Sequence, residues 1–317
     1  MGLADTRNIV RQAGPGAGGE VLAGLRPEQC EKLFGRRRGH AQAGSGAIGS
    51  AGEGVCVTQI RIGVGGWVFE PWRNNFYPKG LSQKRELEYA SRHLTAIEIN
   101  GTYYGSQRPE SFQRWHDETP EDFVFTLKGP RFATNRRVLA EAKDSIDRFL
   151  DSGITRLKRK LGPINWQFMA TKKFDLKDFA AFLSHLPASH GGLALRHAVE
   201  VRHPSFACPE FVALCRKNKV AIITAGDSPF PTIADLTADF VYVRVMGTSE
   251  KEKRGYSKAA IERWAARAKA WSQGEAPKDL PLVAPASPKN KRDVFLFVIS
   301  GAKQKNPAAA EALIAAI

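Results

Sequence analysis

Apolar and polar residues alternate strictly through Ala198-Val199-Glu200-Val201-Arg202, and the alternation stops at His203-Pro204. A period of two marks a strand with one packed face. Pro204 lacks an N–H and steers His203 away from the helical region, so the strand should end there. Val199 and Val201 take one face; Ala198, Glu200 and Arg202 take the other. Ala96-Ile97-Glu98-Ile99-Asn100 repeats the design, with two isoleucines opposed to Ala, Glu and Asn.

From Gln59 onward the same patterning predicts strands over 60–65, 95–100, 123–128, 164–168, 198–202, 220–225, 240–245 and 294–298. Helical periodicity predicts helices over 83–93, from Pro109, over 140–159, 176–186 and 209–217, from Ser257 to Trp271, and from Pro307. Proline suits a first helical turn and serine caps one. Eight strands alternating with eight helical segments, seven of them placed above, indicate an α/β fold with a parallel sheet. Roughly 255 residues is the usual size of a (β/α)8 TIM-type barrel. A doubly wound open sheet is the alternative, although no GxGxxG follows the first strand.

Residues 1–57 differ in kind. They are crowded with Gly and Ala and sustain no period of 2 or 3.6. Such a segment buries too little surface to offset its ordering entropy. We expect a disordered low-complexity extension over 1–57, with a short helix near Pro27 to Phe34, and a barrel domain over 58–317. The triplet Arg36-Arg37-Arg38 reads as a nucleic-acid arm or as a solvated tail. Val57 is also a candidate translation start.

The net charge of +15 and a pI near 9.8 attract polyanions and speed their encounter. No apolar run approaches the roughly 18 residues of a membrane span, and no secretory signal is recognisable. Cys30, Cys56, Cys208 and Cys215 form no CxxC pair, so a reducing cytoplasm with free thiols is expected.

In a barrel, one face of each strand meets the helices and the other fills the lumen. Ile97, Ile99, Phe125, Leu127, Val199, Val201, Val241 and Val243 should face the helices. Glu98, Asn100, Thr126, Lys128, Gln167, Glu200, Arg202, Asp227, Tyr242 and Arg244 then face inward near the carboxyl ends of their strands, where barrel active sites lie. Buried charges cost several kcal/mol each, so six of them must pair, meet water or contact a ligand. Glu98 and Glu200 are candidate acid and base, with His203 and Asp227 beside them. Lys128, Arg131, Arg202 and Arg244 would hold an anion, Arg by bidentate contacts. Asn100, Gln167, Tyr242, Tyr103 and Trp67 would orient the substrate, the aromatic residues serving equally as lids or packing. Glu98, Glu200, His203 and Asp227 are of metal-ligand type, but they lack diagnostic spacing, so no metal or other cofactor is assigned.

Several collinear motifs resemble one family. They are Ile62-Gly63-Val64-Gly65-Gly66-Trp67, Trp72 with Phe76-Tyr77-Pro78, and Glu98-Ile99-Asn100-Gly101-Thr102-Tyr103-Tyr104. Phe125 to Pro130, Leu161-Gly162-Pro163 with Gln167-Phe168, Glu200-Val201-Arg202-His203-Pro204-Ser205-Phe206 and Asp239 to Arg244 continue the match. The family is the YecE-like one, also called domain of unknown function 72, and the resemblance runs from about Ile60 onward. It implies a TIM-type barrel and no settled activity. The likeness of such barrels to apurinic-site endonucleases and sugar isomerases suggests nucleic-acid binding or processing by analogy of fold. Two departures weaken a metal-dependent mechanism. Phe297-Val298-Ile299-Ser300-Gly301 replaces the aromatic-Asn/Asp-Asn sequence of many relatives, and Asn135 stands where many carry histidine. The expected function is a cytoplasmic enzyme, hydrolase-like or isomerase-like, acting on an anionic substrate such as DNA, RNA or a phosphorylated small molecule. The alternative is a nucleic-acid-binding protein without catalysis.

Overall fold

In the computed structural model, residues 58–317 are described. The extension, its short helix, the arginine triplet and the start at Val57 lie outside the described residues, as do Cys30 and Cys56. Eight parallel strand segments carry the fold: β1 (Ile60–Gly65), β2 (Ala96–Ile99), β3 (Val124–Lys128), β4 (Leu161–Gln167), β5 (His197–Glu200), β6 in two pieces (Ala221–Ile222 and Thr224–Gly226), β7 (Phe240–Val245) and β8 (Asp293–Val298). The sheet begins with the first piece of β6, runs through β5, β4, β3, β2, β1, β8 and β7, and ends with the second piece of β6. Ile222 pairs with Val199 of β5, while Thr224 pairs with Val243 of β7. Both apparent edges therefore belong to one segment, and the sheet closes on itself. Closure leaves no unpaired edge.

The bulky face of each strand meets the helices, as the alternation predicts. Ile97, Ile99, Phe125, Leu127, Val199, Val201, Val241 and Val243 are all buried in the large outer cluster. Between β1 and β2 the approach is so close that a Cβ on Gly63 would lie 1.7 Å from the Ala96 carbonyl oxygen. Glycine is required there by contact with backbone, which cannot yield.

Among the described residues, seven helices of eight residues or more surround the barrel: α1 (Glu86–His93), α2 (Pro109–Asp117), α3 (Lys143–Leu150), α4 (Leu176–Ser184), α5 (Pro209–Asn218), α6 (Lys258–Ser272) and α7 (Asn306–Ile314). Two expectations are corrected. The helix predicted over 140–159 is broken. It ends at Leu150, turns through Gly153 at φ 99, and continues as the 3-10 segment Ile154–Lys160. Gly153 populates that left-handed geometry freely, and the buried Lys160 ammonium then donates to the Thr119 carbonyl at 2.8 Å. The expected eighth helix is also missing: residues 227–239 join β6 to β7 without one. A small antiparallel hairpin, Ser189–His190 with Leu193–Ala194, was not anticipated.

Candidate functional site

The lumen is filled in two layers. At the floor, alanines from β2, β5 and β6 (Ala96, Ala198, Ala221, Ala225) meet Phe240 and Phe295 from β7 and β8 in a separate apolar cluster. Small side chains on one arc and large ones on the other fill the bore. Two residues further along β2, β5 and β7 the same inward face turns polar, as a period of two allows, whereas on β8 it stays apolar at Phe297. Glu98, Thr126, Lys128, Asn165, Gln167, Glu200, Tyr242 and Arg244 are all buried there.

Arg244 is the hub. Its guanidinium is 4% exposed, donates to Glu98 Oε1 at 2.9 Å and pairs with Glu200 Oε2. Glu98 Oε2 also accepts from Tyr242 Oη at 2.6 Å and from Asn165 Nδ2 at 3.1 Å. With its O–H directed at Glu98, the Tyr242 hydroxyl oxygen accepts from Thr126 Oγ1 at 2.9 Å. Glu200 Oε1 accepts from Arg202 Nε at 2.7 Å, although β5 ends at Glu200 and Arg202 lies beyond it. Burial pushes the Glu200 carboxyl upward, but Arg244, Arg202 and Lys128 outweigh it, and the group stays below the usual carboxylate range. Burial likewise opposes the Arg244 charge, and Glu200 and Glu98 more than restore it.

Lys128 differs from its neighbours. Its ammonium is 6% exposed, donates to Gln167 Oε1 at 2.7 Å and sits 4.5 Å from the centre of the Tyr103 ring. Both partners are neutral, and no carboxylate among the described residues forms an ion pair with it. Burial, then the Arg244 charge, pull its pKa from 10.5 down to about 8.

The other predicted residues separate into those near this group and those elsewhere. Arg202 stacks over the Phe230 ring at 4.4 Å. Asn100 precedes the single-turn helix Gly101–Tyr104 without a side-chain capping bond, and Gly65 makes room for its amide, since a Cβ there would come within 2.7 Å. Arg131 is exposed at the rim, three residues beyond Lys128, with no carboxylate partner among the described residues. For Trp67 the packing alternative describes what is seen: its ring packs edge-on against Trp115 of α2 at 5.3 Å and against the outward-facing Phe125, so it belongs to the helix layer. Asp227 is a correction. The chain turns left-handed at φ 52 immediately after β6, and the carboxylate accepts from Trp264 Nε1 of α6 at 2.8 Å instead of facing the lumen. His203 accepts the Ser205 backbone N–H at Nδ1 (3.1 Å) and so caps the turn Pro204–Phe206. Among the described residues no three His, Cys, Asp or Glu side chains come together to hold a metal ion.

Asn165 was not anticipated in the network, though it lies two residues before Gln167 on the same inward face. Also unanticipated is a cavity of about 380 Å³ beside the mouth. Its walls come from the loop after β2 (Thr102, Ser106, Gln107), the loop after β3 (Pro130, Phe132) and Arg148 of α3. Thr102 Oγ1 donates to the Lys128 carbonyl at 2.7 Å and ties this wall to the end of β3.

Comparison with known proteins agrees with the resemblance. A family model described as "Protein of unknown function DUF72" matches residues 61–317. The UPF0759 protein YecE of Escherichia coli K12 is 31% identical over 150 residues, covering 46% of this chain and 50% of that protein. The UPF0759 protein YunF of Bacillus subtilis is 27% identical over 158 residues, covering 48% of this chain and 54% of that protein. The chain thus spans about half the length of the curated relatives it matches. The crystal structure of a DUF72 family protein from Thermotoga maritima superposes with a TM-score of 0.61 at 22% identity, over 81% of this chain and 97% of that one. Another from Enterococcus faecalis gives 0.56 at 17% identity, over 82% and 98%. These two likenesses concern the fold.

Proposed function

The chain belongs to the DUF72 family, and from the chemistry at the mouth of its barrel we propose an enzyme acting on an anionic, phosphate-bearing substrate at the C-terminal rim. One observation carries this reading: Lys128 is a buried cation whose nearest partners are a neutral amide and an aromatic ring. A buried charge without a counter-ion is costly, and an anionic ligand removes that cost. Arg131, exposed three residues beyond Lys128, and the partly exposed Arg202 add further positive charge at the strand ends. Arg groups there suit bidentate contact with phosphate oxygens.

The carboxylates take a different role from the one their residue type suggests. Glu98 and Glu200 are both committed to Arg244, and Glu200 is held ionised, which makes it a weak proton acceptor near neutral pH. They position Arg244 and set the field at the mouth. Proton transfer falls to Lys128, whose pKa near 8 lies close to working pH and whose ammonium can neutralise charge developing on a substrate oxygen.

A second reading is binding without turnover, favoured by the same sealing of both carboxylates. Wild type and Lys128→Met would be compared for thermal shift with inorganic phosphate and ribose 5-phosphate, then for product formation from phosphomonoesters and oligonucleotides. The enzyme reading predicts ligand-dependent stabilisation and turnover in wild type and neither in the variant. Binding without product in wild type selects the second reading, and an unchanged ligand response in Lys128→Met rejects both.

A further inference from the structure

We propose that the cavity beside Lys128 is a nucleobase subsite, so that the mouth holds one nucleotide unit with its phosphate on Lys128 and Arg131. This rests on the phosphate reading above and narrows it. The cavity is walled in part by the loops that follow β2 and β3, and Thr102 and Pro130 connect its wall directly to the end of β3. Its volume of about 380 Å³ lies within the range of small-molecule sites.

The lining suits a flat heterocycle better than a bare sugar. Pro130, Phe132 and Phe149 supply apolar faces, while Ser106 and Gln107 supply donors and acceptors at the edge. Unstacked bases are recognised in this way, by aromatic faces and by hydrogen bonds to their edges. A sugar would call for polar partners on every side.

Exposure points to the same place. Phe132 is 60% and Tyr104 65% exposed, and Val68, Val138 and Met169 are exposed on the loops after β1, β3 and β4. Among the described residues, five of the eight exposed large apolar side chains thus lie on the loops after β1 to β4, the part of the rim that includes the cavity, the others being Leu176 at the start of α4, Leu282 and Ile317. Such a concentration marks an interaction surface. The charge is complementary, since Arg148 lines the cavity, the Arg131 guanidinium lies 5.5 Å from the centre of the cavity-lining Phe132 ring, and neither arginine has a carboxylate partner among the described residues. Tyr104 packs edge-on against Tyr103 at 5.1 Å, and Tyr103 lies beneath the Lys128 ammonium, so aromatic surface runs from the lumen outward. A base must leave its stack to enter, so the unit is a free nucleotide or one residue of a single strand.

The test titrates the whole chain with ribose 5-phosphate, nucleoside 5′-monophosphates, a single-stranded oligonucleotide and its duplex. It uses wild type, Phe132→Ala and Lys128→Met, with thermal midpoints as the control for folding. Nucleotides should bind wild type about 5- to 100-fold more tightly than ribose 5-phosphate, the range that base–aromatic stacking supplies. Phe132→Ala should erase that advantage and leave ribose 5-phosphate affinity unchanged, whereas Lys128→Met should weaken every ligand. A preference for the free nucleotide or for the single strand identifies the source, and either supports the subsite. Equal affinity for ribose 5-phosphate and nucleotide, a full advantage retained in Phe132→Ala, or duplex bound more tightly than both nucleotide and single strand overturns the subsite while the phosphate reading stands. Failure of wild type to bind any of them overturns both.

Discussion

Lys128 Nζ donates to Gln167 Oε1 at 2.7 Å, and the same amide oxygen accepts from Arg244 at 3.3 Å. Two cations therefore converge on one neutral acceptor. Arg244 has Glu98 and Glu200 as well; Lys128 has only the Tyr103 ring. The asymmetry leaves one buried ammonium without a directly paired carboxylate just inside the barrel mouth.

Lys128→Met should stabilise the ligand-free protein at pH 7 by ~1–2 kcal/mol, since methionine fills similar space without a charge to desolvate. The sign follows from the depressed pKa. Between about 8 and 10.5 the unfolded chain holds the proton more tightly than the folded one, so wild-type stability rises with pH across that window. Below about 8 the penalty is fully present. The gain from the variant should be largest there and shrink toward pH 10.5, as followed by denaturant unfolding.

Arg244→Met should be far more damaging, because it leaves Glu98 and Glu200 buried without their shared counter-ion. Breaking a buried ion pair by removing one partner costs ~3–5 kcal/mol. Adding Glu98→Gln and Glu200→Gln to the same chain should recover most of that loss. Chemical denaturation of the three constellations checks both statements.

Much of the architecture is legible in the alternation. Glu98 opposite Ile97 and Ile99, or Arg244 opposite Val243 and Val245, can only face the lumen once the sheet closes, and each does. What the pattern cannot carry is a residue placed by a turn. Asp227 follows its strand by one position, yet a left-handed step turns it to Trp264. Gly153 breaks a helix whose apolar period continues on both sides of it. Phe132 and Gln107 lie in loops with no period at all, so the cavity they line has no signature in the sequence. The contacts of the two carboxylates were hidden for another reason: residue type says nothing of pairing with Arg244, which depends on three strands meeting.

Gly63→Ala should destabilise strongly, because the added carbon meets the Ala96 carbonyl oxygen at 1.7 Å and backbone cannot rotate aside. Overpacking typically costs ~1–3 kcal/mol, and a clash with backbone should reach the upper end or beyond. Thermal melting compared with Gly66→Ala, where a Cβ meets nothing within 4 Å but the φ of 74 is strained, separates clash from strain. The Gly63 variant should melt lower.

Binding of a single-stranded oligonucleotide should weaken with salt, and Lys128→Met with Arg131→Ala should flatten the dependence. Each phosphate contact removed lowers the slope of log affinity against log salt by ~0.7 for single strands. Filter binding at several salt concentrations gives the slope. An unchanged slope in the double variant places the contacts elsewhere on this basic surface.

The most direct test is calorimetric titration of the whole chain with inorganic phosphate at pH 6.5 and pH 9.5, in wild type and in Lys128→Met. With the Lys128 pKa near 8, the charged form prevails at the lower pH and is scarce at the higher. Wild type should bind phosphate at pH 6.5 and lose at least about tenfold in affinity at pH 9.5, and the variant should bind weakly at both. Equal affinity in wild type and Lys128→Met at pH 6.5 would show that the anion does not meet this lysine.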